Sequence, residues 1–158
     1  AVYGLGVGLY DYVAFCSMCD LKKRPAGKKF IILFADLAAA SEAIDLDTPM
    51  KDEILSSWPG PSTWVLPAKD TVPCWVKDNN GSLAVRVTAH EQCIDLISKV
   101  GPLISTSANR AGAVPPKNLK GVQECFGCLI DFYLPGGLGG RLKPTTIRDG
   151  LTGDLLRK

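Results

Sequence analysis

FIILFADLAAASEAI, residues 30 to 44, decides the fold class. It opens on a continuous apolar run, Phe30 to Ala35, of strand length, the pattern of a strand buried on both faces. Asp36 then offers a side-chain oxygen to the first turn of an alanine-rich helix reaching about Ile44. A buried strand passing directly into a helix is the building unit of layered α/β folds.

Working outward, the same kinds of element recur. Thr48-Pro49 supplies a cap and a first-turn proline for a helix from about Thr48 to Ser57. WPGPSTWVLPA (58–68) reads as a Pro/Gly turn feeding a short strand. In SLAVRVT (82–88), Leu83, Val85 and Val87 alternate, which predicts a strand with Arg86 on its opposite face. The spacing of Cys93, Ile94, Ile97 and Val100 predicts a helix over His90–Val100. The apolar stretch Pro102–Ser105 reads as the next strand, followed by an irregular Pro/Gly loop and a helix of about 117 to 126. Further strands are expected near 128–134, 144–148 and 153–157. Because strands and helices mix without strict alternation, the sheet is expected to be mixed.

With 158 residues, 46% of them hydrophobic, the chain can bury a proper core and reads as one domain, 1–158. Charged residues at 22% argue against bulk disorder. The net charge of +2 is too small to argue for nucleic acid, but its distribution is uneven. Lys22, Lys23, Arg24, Lys28 and Lys29 fall within eight residues, while Asp36 to Glu53 holds six acids against Lys51 alone. The basic cluster reads either as a solvated loop or as part of an anion site. No apolar run approaches the ~18 residues that cross a bilayer, and no signal-peptide pattern opens the chain, so a cytoplasmic location and no membrane contact are expected.

The two C-x-x-C pairs, Cys16/Cys19 and Cys125/Cys128, have the spacing of zinc ligands but stand in apolar helical contexts without knuckle residues. No metal site is expected, and the thiols read as buried small hydrophobes. Gly4-Leu5-Gly6-Val7-Gly8 reads as a tight turn, because Leu9 stands where a dinucleotide motif needs its third glycine. A Walker A motif is absent.

The chemistry concentrates in GPLISTSANRAG (101–112). Ser105, Thr106, Ser107 and Asn109 follow the apolar stretch, at the place where open α/β sheets bind ligands. Hydroxyl, amide and backbone N–H donors suit phosphate oxygens, though the same composition makes an ordinary Ser/Asn turn. LKKRP (21–25) adds Lys22 and Arg24, which Pro25 holds extended so that both can point at one anion. Arg24 can grip phosphate bidentately and Lys22 can act as a point charge.

VYGLG (2–6), LKKRP (21–25), WPGPSTWVLPA (58–68), SLAVRVTAH (82–90), PLISTSAN (102–109) and PTTIRDGLTGDLLR (144–157) resemble, in this order and spacing, the YrdC/TsaC family of threonylcarbamoyl-AMP synthases. The resemblance covers essentially the whole chain and is closest to the bacterial single-domain form. It implies an open, twisted, mixed α/β sheet of the YrdC/RibB-like type with a concave basic face. It also implies an enzyme, a nucleotidyltransferase converting L-threonine, bicarbonate and ATP, with Mg2+ carried by the nucleotide, to threonylcarbamoyl-AMP and pyrophosphate. Partner proteins of the threonylcarbamoyl transferase complex would then modify adenosine 37 of ANN-decoding tRNAs.

The family's K-x-R and S-x-N signature falls on Lys22, Arg24, Ser107 and Asn109, implied as catalytic and ATP-binding together with Ser82 and Arg157. Tyr3, Arg86, Ser105, Thr106 and Thr145 are implied around the threonine. His90 reads as structural. The family's N-terminal helix, strand and PTE stretch, with its threonine-binding Thr and a central strand, are expected to be missing before Ala1. A competing reading is a non-catalytic module that uses the basic face to contact tRNA or double-stranded RNA by shape. A carbamoyl-transferring relative within hydrogenase maturation proteins is a further one, but it sits in longer chains with zinc-finger-like cysteine motifs.

Overall fold

The computed structural model describes residues 2–23, 30–138 and 145–157. Seven strands form one mixed, open sheet in the order β1-β5-β2-β4-β3-β6-β7. Its strands are β1 (Gly4–Gly8), β2 (Ile31–Phe34), β3 (Thr63–Pro67), β4 (Ser82–Val87), β5 (Leu103–Ser107), β6 (Ile147–Asp149) and β7 (Leu155–Arg157). Parallel pairing joins β2 to β4 and β3 to β6, and the other neighbours run antiparallel. The α/β class with a mixed sheet therefore stands.

Helices load the two faces unequally. α1 (Tyr12–Lys22), α2 (Leu37–Ser41), α3 (Lys51–Ser57) and α5 (Leu119–Phe126) contribute Met18, Ala40, Ile54, Val122 and Phe126 to one core with Ile32, Phe34, Leu66, Leu83, Val85 and Ile104. α4 (Glu91–Val100) packs on the other face, where Ile97 meets Leu33 and Leu103. Alternation along each strand splits the apolar side chains between these layers.

Several helix ends follow the sequence. Asp36 caps α2, its carboxylate accepting from the Ala39 N–H at 2.8 Å, and Asp11 caps α1 through Ala14 N–H at 2.9 Å. Thr48 does not cap α3. The Lys51 N–H bonds the Thr48 carbonyl in a preceding turn, and the helix starts after Met50 with no side-chain cap. Asp52 and Glu53 in its first turn complement the helix dipole instead.

Three other expectations need correction. The glycine run 4–8 is a strand, not a turn: β1 pairs with β5 along its whole length, from Gly4 opposite Ser107 to Gly8 opposite Leu103. Leu5 enters the core while its glycine neighbours face the other side. No strand forms over 128–134. A single 3-10 turn, Gly127–Leu129, leads into a segment held from outside the sheet, with Tyr133 bonded to the Gly127 carbonyl and Gln92 to the Pro135 carbonyl. The cysteines are not buried: Cys16, Cys19 and Cys93 are half-buried and Cys74, Cys125 and Cys128 exposed. Among the described residues no three His, Cys, Asp or Glu side chains form a group that could hold a metal ion. No described helix is long and apolar enough to cross a membrane.

Candidate active site

The face that carries α4 also carries the polar residues singled out in the sequence. Leu33 is level with Arg86 on β4 and Leu103 on β5, while Ile31 is level with Ala84 and Ser105. Paired residues share a face, so Arg86, Ser105 and, by alternation, Ser107 and Ser82 all project from it. Gly4 and Gly6 stand opposite Ser107 and Ser105. A Cβ on Gly4 would lie 3.4 Å from Ser105 Oγ, so the glycines leave the ground beside these hydroxyls clear.

Arg86 is held from two sides. Its Nε and Nη2 donate to Thr63 Oγ1 at 3.1 and 2.8 Å, and Nη2 also donates to Thr145 Oγ1. Thr63, at 0% exposure, is among the few buried polar residues. Sequence reasoning missed it; the available signal was a threonine opening an otherwise apolar strand, TWVLP. The Arg157 guanidinium donates to the Thr145 carbonyl at 3.0 Å, so β7 helps to hold the same corner. The Arg86 guanidinium is half-buried, and the two hydroxyls fix the direction in which its fork points.

A second group forms where β5 ends. The strand runs through Ser107, two residues beyond the apolar stretch taken as the strand, so only Asn109 of the polar run lies in the turn. Ser107 Oγ donates to Asn109 Oδ1 at 2.5 Å, and Asn109 Nδ2 donates to the carbonyls of Arg110 at 3.0 Å and Ala113 at 2.6 Å. Lys22, 3% exposed at the end of α1, donates from Nζ to the carbonyls of Ser107 at 2.5 Å and Asn109 at 2.7 Å. Lys22, Ser107 and Asn109 thus meet as expected, but the ammonium is turned onto backbone carbonyls. Arg24 lies outside the described residues.

Other expected members are placed differently. Thr106 is level with Leu5 and shares the face of Ile104, so alternation turns it away from Ser105 and Ser107. Tyr3 packs against the main core and its hydroxyl donates to the Gly136 carbonyl at 2.8 Å. Ser82 begins β4, its N–H bonded to Asp78 Oδ1 at 2.8 Å, at the same end of the sheet as Ser107. His90 stands at the N-terminus of α4, exposed, its N–H on Thr88 Oγ1 at 3.2 Å. A hollow of about 720 Å³ lined by residues 8–13 and 100–102 lies at the opposite end of β1 and β5 from Ser107 and Asn109.

The described face therefore presents an arginine beside hydroxyls and, two strands away, a serine–asparagine turn. Two strand spacings of about 4.8 Å, and the four residues of β5 from Leu103, level with Arg86, to Ser107 at about 3.3 Å each, put the two groups on the order of 16 Å apart at the backbone. The named groups are a guanidinium, hydroxyls and a carboxamide, and none of them is a carboxylate.

Proteins of related sequence and fold are known. The family model described as telomere recombination, Sua5/YciO/YrdC, matches residues 1–158. The chain is 41% identical over 158 residues to a threonylcarbamoyl-AMP synthase of Nitrosococcus oceani, covering 99% of this chain and 85% of that protein. A synthase of the same name from Escherichia coli is 40% identical over 162 residues, covering 100% and 85%. P. abyssi Sua5 complexed with L-threonine superposes with a TM-score of 0.85 at 32% identity, over 94% of this chain and 44% of that one. The chain thus spans less than half of that longer protein. E. coli YciO shares the fold, with a TM-score of 0.88 at 24% identity over 100% of this chain and 79% of the other. The chain belongs to the Sua5/YciO/YrdC family.

Proposed function

We propose that this protein is an L-threonylcarbamoyladenylate synthase, acting on L-threonine, bicarbonate and ATP. The observation that carries the reading is the pairing, on one sheet face, of the clamped Arg86 with the Ser107–Asn109 turn. Relatives of that name at about 40% identity support it.

The threonine carboxylate pairs with Arg86 as a two-point contact, with Thr63 and Thr145 keeping the guanidinium in plane. Ser105 lies on the same face for the rest of the amino acid. The threonine amine and bicarbonate give an N-carboxylate with loss of water. One oxygen of that carboxylate forms a bond to the α-phosphorus of ATP, the bond to the bridging oxygen breaks, and pyrophosphate leaves with the electron pair. Such a transfer needs alignment and charge neutralisation more than a protein nucleophile. Ser107, Asn109, Ser82, Arg24 and Arg157 serve the phosphates. Magnesium, carried as part of the Mg-ATP substrate, would supply further neutralisation of phosphate charge beside these residues.

The product serves modification of adenosine 37 in ANN-decoding tRNAs through partner proteins in the cytoplasm, and the sequence cluster Lys23, Arg24, Lys28 and Lys29 offers positive charge for contacting tRNA. The test is mass spectrometry of a reaction containing threonine, bicarbonate and Mg-ATP. Threonylcarbamoyl-AMP is expected, and ADP or free AMP as the only nucleotide product would refute the assignment.

A further inference from the structure

We propose that Lys22 is a positioning residue: it sets the aim of the Ser107–Asn109 turn from beneath and does not touch the nucleotide. The inference rests on the reading that ATP phosphates lie against that turn.

Lys22 is the last residue of α1, and Lys23, in the left-handed conformation, turns the chain away immediately after it. The Lys22 side chain runs inward to 3% exposure, where its ammonium meets the carbonyls of Ser107 and Asn109 at 2.5 and 2.7 Å. Its own carbonyl accepts the Ala111 N–H at 3.1 Å, so side chain and backbone of one residue grip both sides of the turn. The Ser107 carbonyl also accepts the Asn109 N–H at 2.9 Å, which closes the turn on itself. Swinging out to a phosphate would break both ammonium bonds and strip the part-buried Asn109 carbonyl of its charged donor, so the ammonium stays under the turn.

The tie has a directional consequence. In a trans peptide the carbonyl and the next N–H point to opposite sides. Drawing the Asn109 carbonyl onto Lys22 therefore aims the Arg110 N–H away from the ammonium, toward the outer side of the turn. The same tie fixes the two residues whose side chains join Ser107 Oγ to Asn109 Oδ1. The positive charge stays under the turn as a fixed field, and the groups above it make the contacts.

A double-mutant cycle separates positioning from direct contact. Lys22→Met keeps the volume and removes the charge and donors; Asn109→Ala removes the turn's central side chain. Acting through one unit, each single change lowers kcat/KM for pyrophosphate release by about 100-fold or more, and the double variant falls within about threefold of the worse single. Losses that multiply would overturn the proposal. Without nucleotide, amide exchange at Asn109 and Ala111 should rise at least about tenfold in Lys22→Met while β2 and β4 stay protected; unchanged exchange would overturn it too. Should Lys22→Met not fold, acetic anhydride labelling of the unmodified protein decides. Lys22 should react far more slowly than exposed Lys120 with or without Mg-ATP. Rapid labelling that Mg-ATP suppresses would identify a phosphate ligand instead. Failure of the synthase reading itself shows separately, as no threonine-dependent turnover by the unmodified protein.

Discussion

Arg86 concentrates the argument at the scale of single residues. Its two threonine partners make it a fixed fork, and a fork is what a carboxylate needs. Arg86→Lys keeps the charge but loses the two-point grip, so the KM for threonine should rise about 10- to 100-fold while that for ATP changes less than about threefold. Equal effects on both substrates, measured by initial rates, would count against a carboxylate contact. Thr63→Val preserves shape and removes the buried acceptor of two guanidinium N–H groups. It should cost about 1–3 kcal/mol in urea unfolding, the usual penalty for leaving buried donors unpaired. Cys93, on the α4 face, titrates high because burial disfavours its thiolate, an effect partly offset by the Arg86 guanidinium. Since alkylation proceeds through the thiolate, Cys93 should label with iodoacetamide more slowly than exposed Cys125 at pH 8, and the deficit should shrink as pH rises.

At the scale of elements, the β6–β7 turn shows how closely the sheet edge is fitted. A Cβ on Gly150 would meet the Val65 carbonyl oxygen at 2.8 Å and Leu66 Cδ2 at 2.3 Å, and the Gly150 N–H bonds that same Val65 carbonyl at 2.8 Å. Gly150→Ala should therefore destabilise the protein by about 1–3 kcal/mol, read as a lower urea midpoint with little change in slope. The elements legible in the sequence were those with one strong local signal. FIILFA announced β2 by uninterrupted burial, Asp36 announced α2 by its cap, and SLAVRVT placed Arg86 by alternation. Illegible were the elements defined by their neighbours. β1 looks like a turn until Leu103–Ser107 is there to pair with it, because only then do its glycines gain a face. The segment 128–134 has strand-like composition, but Gln92 and Tyr3 hold the residues that follow it, Pro135 and Gly136, by their carbonyls, outside the sheet. Lys22 read as a cation aimed at a phosphate, because its carbonyl partners lie 85 and 87 positions away.

The whole molecule is asymmetric. Among the described residues, four helices cover one face of the sheet and α4 lies on the other, the face that carries the arginine, the serines and the glycines of β1. This division assigns stability and chemistry to opposite sides of the same strands: Val85 is core and Arg86 is site, one position apart. In the proposed reaction the two anion-binding groups of the polar face take two different substrates, threonine and ATP. The decisive measurement is pyrophosphate release from Mg-ATP with bicarbonate present, with and without L-threonine. Release that requires threonine and saturates with it is expected. Release at the same rate without threonine, or none with all three substrates at saturating concentration, would contradict it.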